Sequence, residues 1–216
     1  MAIRKKYPMT ILARVLGIMM PFVISTVPAL GEQLRVSMKL ESPSGMAVAG
    51  YSGETHGIFL VEVSSTEQGI KNKVVYDGFS NVEPKLEWIG SSVLAVTVYT
   101  GGNGTFDILY DVVKDRISGH IDFVVAIDKS NGIMLIAQRK VWVQYAFDDG
   151  HKFYLNYDFD DSAIKSLIFE DGTGFEANGN LELKYDSQSG DVRSVNISKS
   201  ELEENLQKIG GHRLFQ

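Results

Sequence analysis

Short apolar runs rich in Val, Ile, Tyr and Phe recur along this chain, and most are closed by a turn dipeptide. The runs are 46–51, 58–63, 73–76, 93–99, 105–113, 123–127, 133–137, 141–147, 153–157, 166–169, 181–185 and 192–197. β-Branched and aromatic side chains fit a pleated, half-buried surface, so this composition predicts strands. Asp77-Gly78, Asn103-Gly104, Asn131-Gly132, Asp149-Gly150, Asp171-Gly172 and Asn178-Gly179 each join a residue tolerant of positive φ to a glycine. Such pairs favour tight hairpins, because their twist matches that of the flanking strands. The expected fold is all-β and antiparallel, a meander of hairpins.

One helix is expected, over 198–208. Ser198 with Glu201 and Ser200 with Glu203 have capping-box spacing, and Leu202, Leu206 and Ile209 fall on one face. Gly210-Gly211 ends it.

Three stretches share one order of turn, strand, turn, strand and short strand. They open at Ser42-Pro43-Ser44-Gly45, at Trp88-Ile89-Gly90-Ser91-Ser92 and at Asp128-Lys129-Ser130-Asn131-Gly132. The spacing of about 43 residues is that of four-stranded propeller blades. Ser42-Pro43-Ser44-Gly45-Met46-Ala47-Val48-Ala49 resembles the Ser-Pro-Asp-Gly-x-x-(aliphatic)-Ala signature of β-propeller repeats of the Tol-system and prolyl-oligopeptidase type, over about residues 36–160. Ser44 stands where that signature has Asp, and the second and third copies lack the Pro. The resemblance implies an inner strand after the turn, and a second strand at 58–63. Three copies, or four with 181–197, are few for a closed ring, which typically takes four to eight blades. A small four-bladed ring, an oligomer that completes one, a β-sandwich and an up-and-down barrel all stay open at this point.

The N-terminus carries export chemistry. Arg4, Lys5 and Lys6 form a basic region, 15–27 is apolar, and Ala29-Leu30-Gly31 supplies small residues before Glu32. The expected organisation is a signal peptide over 1–31 and a single β domain over 32–216, with no transmembrane span after cleavage and a periplasmic or secreted location. The whole chain has a net charge of −6. Residues 1–31 hold four of the 21 bases and no acid, so 17 bases face 27 acids in the remainder, a net charge of −10. That balance repels phosphate backbones, so no nucleic acid is expected as a partner. Cysteine is absent, which excludes disulfides, thiol catalysis and thiolate metal sites.

No catalytic residues are assigned. His56, His120, His151 and His212 have no metal-ligand spacing. Gly50-Tyr51-Ser52-Gly53 is one residue short of a nucleophile elbow and leads into a strand. Asp158, Asp160 and Asp161 are calcium candidates, although an EF-hand frame from Asp158 puts Ala163 and Phe169 where Gly and Glu are needed. No cofactor is therefore expected. Trp88, Trp142, Tyr99 and Tyr145 are the candidate ligand- or partner-binding residues, as an aromatic platform if they face outward and as core if they face inward.

The expected function is an exported, non-catalytic binding or assembly module of the bacterial envelope. Its expected partner is another envelope or secreted protein, or a second copy in a homo-oligomer. An extracellular polymer-acting hydrolase or lyase, with two carboxylates about 5–10 Å apart, and a barrel-type carrier with one large apolar cavity are the alternatives.

Overall fold

The chain divides into two units, Met1–Glu32 and Gln33–Gln216. The computed structural model describes residues 35–54, 56–102, 104–159 and 172–212, all within the second. The expected signal peptide, the run 166–169, Asn103, Asp160, Asp161 and Asp171 lie outside the described residues.

Four antiparallel sheets follow one another along the chain. The first contains β1 (Arg35–Glu41), β2 (Val48–Glu54), β3 (Gly57–Ser65) and β4 (Ile70–Ser80), in that order. The second contains β5 (Lys85–Ile89), β6 (Val93–Gly101), β7 (Gly104–Asp111) and β8 (Arg116–Ile117), and β9 (Ile121–Asp122) also pairs with β7. The third is built from β10 (Val124–Ile127), β11 (Ile133–Ala137), β12 (Val141–Tyr145) and β13 (Phe153–Tyr154). The fourth has β14 (Gly174–Phe175), β15 (Leu181–Asp186) and β16 (Val192–Ile197). Helix α1 (Lys199–Lys208) follows, and the Ser198 hydroxyl at its N-cap accepts from the Glu201 N–H at 3.2 Å.

The sheets stack face to face through three cores. One is shared by the first and second sheets, with Ala49, Phe59 and Val61 against Leu94, Val96 and Tyr110. Another lies between the second and third, with Val93, Ala95 and Leu109 against Met134 and Ile136. The last joins the third and fourth, where Leu135, Val143 and Tyr145 meet Leu181, Leu183, Leu202 and Leu206. A strand in a middle sheet thus serves two cores at once. Along β6, Leu94, Val96 and Val98 turn to the first sheet while Val93 and Ala95 turn to the third. This is why β11 and β12 are buried at every position, whereas β3 and β15 alternate strictly. The repeats are propeller-like, but the sheets do not close into a ring.

The repeat seen in the sequence is the turn between the first two strands of each sheet, and successive turns touch. The Ser44 hydroxyl donates to the Ser91 carbonyl at 3.3 Å, and the Gly90 N–H donates to the Lys129 carbonyl at 2.7 Å. In the fourth sheet Gly179 has φ +85, and a Cβ there would lie 3.3 Å from Asn131 Nδ2 and Asp128 Oδ2. The chain then continues into α1, whose Lys199 N–H donates to Asn180 Oδ1 at 3.0 Å.

Two sequence expectations need correction. Asp77-Gly78 lies inside β4 rather than in a turn, paired across the sheet with Leu60 and Phe59. Strands β1 and β5 precede the turns taken as openings, so each repeat begins one strand earlier than the turns suggest. Among the described residues no helix is long and apolar enough to cross a membrane.

Candidate functional site

The first sheet has one covered face and one open face. Val48, Gly50 and Ser52 on β2 share the open face with Ile58, Leu60 and Glu62 on β3, their register partners or neighbours in the ladder. Val74 and Phe79 on β4 stand opposite Glu62 and Ile58. Val48, Ile58, Val74 and Phe79 are 40–59% exposed, which is high for side chains of this size on a formed sheet. Gly50 and Ser52 floor a shallow groove of about 440 Å³, and a second hollow of about 730 Å³ extends it over Gly53, Gly57 and Ile58. Gly50 is held small by the ladder itself, because a Cβ there would lie 2.9 Å from the Met38 carbonyl. Lys39 and Glu41, the β1 partners of Gly50 and Val48, bring opposite charges to the rim.

The other end of the stack is different. On β15 the outward positions are Glu182, Lys184 and Asp186, alternating with buried Leu181, Leu183 and Tyr185. Lys184 and Glu182 pair at 3.2 Å, and the Ser194 hydroxyl donates to Glu182 at 3.4 Å. This face is mostly polar, with Val192 opposite Asp186 as its one exposed large apolar side chain among the described residues, as suits the outer surface of a terminal repeat in water.

The expected aromatic platform is not what these rings form. Trp88 and Trp142 are buried, Tyr145 is fully buried, and Tyr99 is half-buried. The reason is positional: β5, β6 and β12 belong to the middle sheets, where both faces are covered. Trp88 staples two sheets, its Nε1–H donating to the Leu40 carbonyl at 3.4 Å. Tyr99 does so through its backbone, its carbonyl accepting from the Asn81 N–H at 2.6 Å. Trp142 lies on β12, beside Tyr154 of the edge strand β13 and under the Lys152 ammonium, and its Nε1–H donates to Gln144 Oε1 at 2.8 Å.

Of the calcium candidates, Asp158 is engaged by protein groups: Tyr185 OH donates to one oxygen at 3.0 Å and Arg193 to the other at 3.0 Å. The histidines are more organised than turn residues in water. His120 stacks on Phe106 with ring centroids 4.2 Å apart. His151 Nδ1 lies 2.8 Å from Asp148, whose second oxygen accepts the His212 N–H at 2.8 Å. Burial pulls the Asp148 carboxyl up, but these hydrogen bonds more than offset it and hold it below the ordinary range. The clamp fixes the chain just after α1 to the loop between β12 and β13. The sequence separation of 64 residues hid it.

Asp107 on β7 is a buried carboxyl of another kind. Burial pushes it up to about 6, although the Thr97 hydroxyl donates to it at 2.5 Å. It belongs to the face of the second sheet that is turned to the third.

No protein family matches this chain, and no curated protein matches it. Among solved structures it is similar to the β-propeller domain of the Trilobed protease from Pyrococcus furiosus, described as having an open velcro topology. The TM-score is 0.44 at 13% identity, over 76% of this chain and 55% of that one. The chain thus spans about half the length of that structure.

Proposed function

We propose that this chain is an exported, non-catalytic binding or assembly module of the bacterial envelope, whose partner is another envelope or secreted protein docked on the open face of the first sheet. The observation that carries this reading is the unlikeness of the two end faces. If the stack ended in water at both ends, both outer faces would be mostly polar, as that of the fourth sheet is, where Val192 alone among the described large apolar side chains is exposed. The first sheet instead offers Val48, Ile58, Val74 and Phe79 around a floor of Gly50 and Ser52. Among the described residues the other apolar sheet faces are covered by a neighbouring sheet or by α1, which makes a packed protein surface the natural occupant. The basic and apolar N-terminal run supports export, and the Tol-type signature at Ser42–Ala49 supports an envelope setting.

The test is capture of partners from an envelope extract by the tagged protein and by an Ile58→Thr/Phe79→Thr variant, read by mass spectrometry, with sedimentation of each protein alone. A stoichiometric protein held by the wild type and lost from the variant supports the reading. Equal retention by both overturns the assignment of this face. A concentration-dependent dimer abolished by the variant would make the occupant a second copy of the chain.

A further inference from the structure

The apolar side chains on the open face of the first sheet surround two carboxylates, and these restrict what can cover it. Glu62 on β3 stands opposite Val74, and Asp77 on β4 stands opposite Leu60. The two acids are therefore diagonal neighbours across the β3–β4 ladder, with backbones about 7–8 Å apart. The pair Ile58 and Phe79 lies one step further along the same face. On its other side Glu62 has Gly50 of β2, and it is half-buried at the wall of the hollow over that glycine. Among the described residues neither Glu62 nor Asp77 enters an ion pair, whereas Asp115, Glu87 and Glu182 each have a lysine. The cations of the face lie at its margins. Lys39 on the edge strand β1 is separated from Glu62 by Gly50 and does not pair with it, and Lys71 lines a separate hollow with Thr66 and Gly69.

A protein that packs on Leu60, Val74 and Phe79 takes Glu62 and Asp77 out of water with them. A carboxylate covered without a cation costs more than an apolar neighbour gains, so the covering surface must bring the cation. A second copy of this chain does not. Face to face it adds another Glu62 and Asp77, and its fourth sheet presents Glu182 and Asp186, with Lys184 already paired to Glu182.

We propose that the protein docked on this face presents an arginine set among large apolar side chains. The guanidinium bridges Glu62 and Asp77, while its apolar neighbours fill the hollow over Gly50 and cover Ile58 and Phe79. A guanidinium carries donors on two edges of a rigid fork, which suits two carboxylates at this separation better than a lysine ammonium does. This inference rests on the docking proposed above and adds to it the chemistry of the partner.

The experiment is selection of phage-displayed random cyclic peptides on the purified protein. Each enriched sequence is then titrated against the wild type and against the Ile58→Thr/Phe79→Thr and Glu62→Gln/Asp77→Asn variants, with unchanged urea midpoints certifying the fold of both. Enrichment of arginine beside large apolar residues is expected, with affinity about tenfold lower for either variant. Salt should weaken binding to the wild type more steeply than binding to the carboxylate variant. Sequences that lose affinity for the apolar variant alone would overturn this inference, whatever their composition, and leave the docking face standing. Sequences that bind all three proteins equally, or no enrichment at all, would overturn the face as well.

Discussion

The Gly90 N–H donates to the Lys129 carbonyl at 2.7 Å, tying the first turn of the second sheet to the first turn of the third. Gly90 has φ +58, a conformation that costs an L side chain roughly 1–2 kcal/mol. Gly90→Ala is therefore expected to destabilise the protein by about that amount, seen as a lower urea midpoint with an unchanged slope. An unchanged midpoint would mean that an L side chain takes this backbone conformation without strain.

Asp107 gives a pH-dependent prediction with a definite sign. Its folded value of about 6 lies above the ordinary 3.8, so the native state binds the extra proton between them. Stability from this group therefore falls as pH rises through that window, by about 3 kcal/mol at most. Asp107→Asn keeps an acceptor for Thr97 and removes the charge. The variant and the wild type should be nearly equal near pH 4, and the variant more stable above pH 6. Parallel curves across the range would contradict the assignment.

Asp148 has the opposite sign. Its carboxyl is held below the ordinary range by the His212 N–H and His151, so its contribution is present at neutral pH and is lost as pH falls through that lowered value. Asp148→Asn is expected to speed amide exchange at His212 at pH 7. The difference from wild type should shrink in acid.

Burial separates the two kinds of apolar residue on the first two sheets. Leu94 is fully buried, and Leu94→Ala should cost about 2–5 kcal/mol. Ile58 and Phe79 are 59% and 47% exposed on the open face. The Ile58→Thr/Phe79→Thr variant should keep its stability within about 1 kcal/mol, since Thr retains strand preference. Chemical denaturation of the three proteins distinguishes these outcomes, and a large loss in the surface variant would show that the open face is covered within the molecule.

Much of this architecture could be read from residue order. The turns at Ser42-Pro43-Ser44-Gly45 and Asn131-Gly132 fall where the hairpins are, and Ser198 caps the one expected helix. β1 was not legible because its sequence, RVSMKLE, mixes charges into a strand with few β-branched residues. β14 was too short, at two residues. The openness of the stack had a signal that counting blades did not use. The strictly alternating LELKYD of β15 contrasts with the unbroken IMLIA of β11, which marks an end sheet and a middle sheet. The Arg116 guanidinium over the Phe147 ring and the Asp148 clamp had no local signature, because their partners are brought together by stacking and by the return of the chain after α1.

The linear arrangement of cores also governs how the molecule yields to force. The core of the first sheet is shared with the second alone, and α1 adds to the core at the far end. A closed ring distributes a pull between two paths, whereas here every load between first and fourth sheets passes through each interface in series. Tension applied across the described ends, near Arg35 and His212, should shed sheets one at a time, in steps set by the weakest junction.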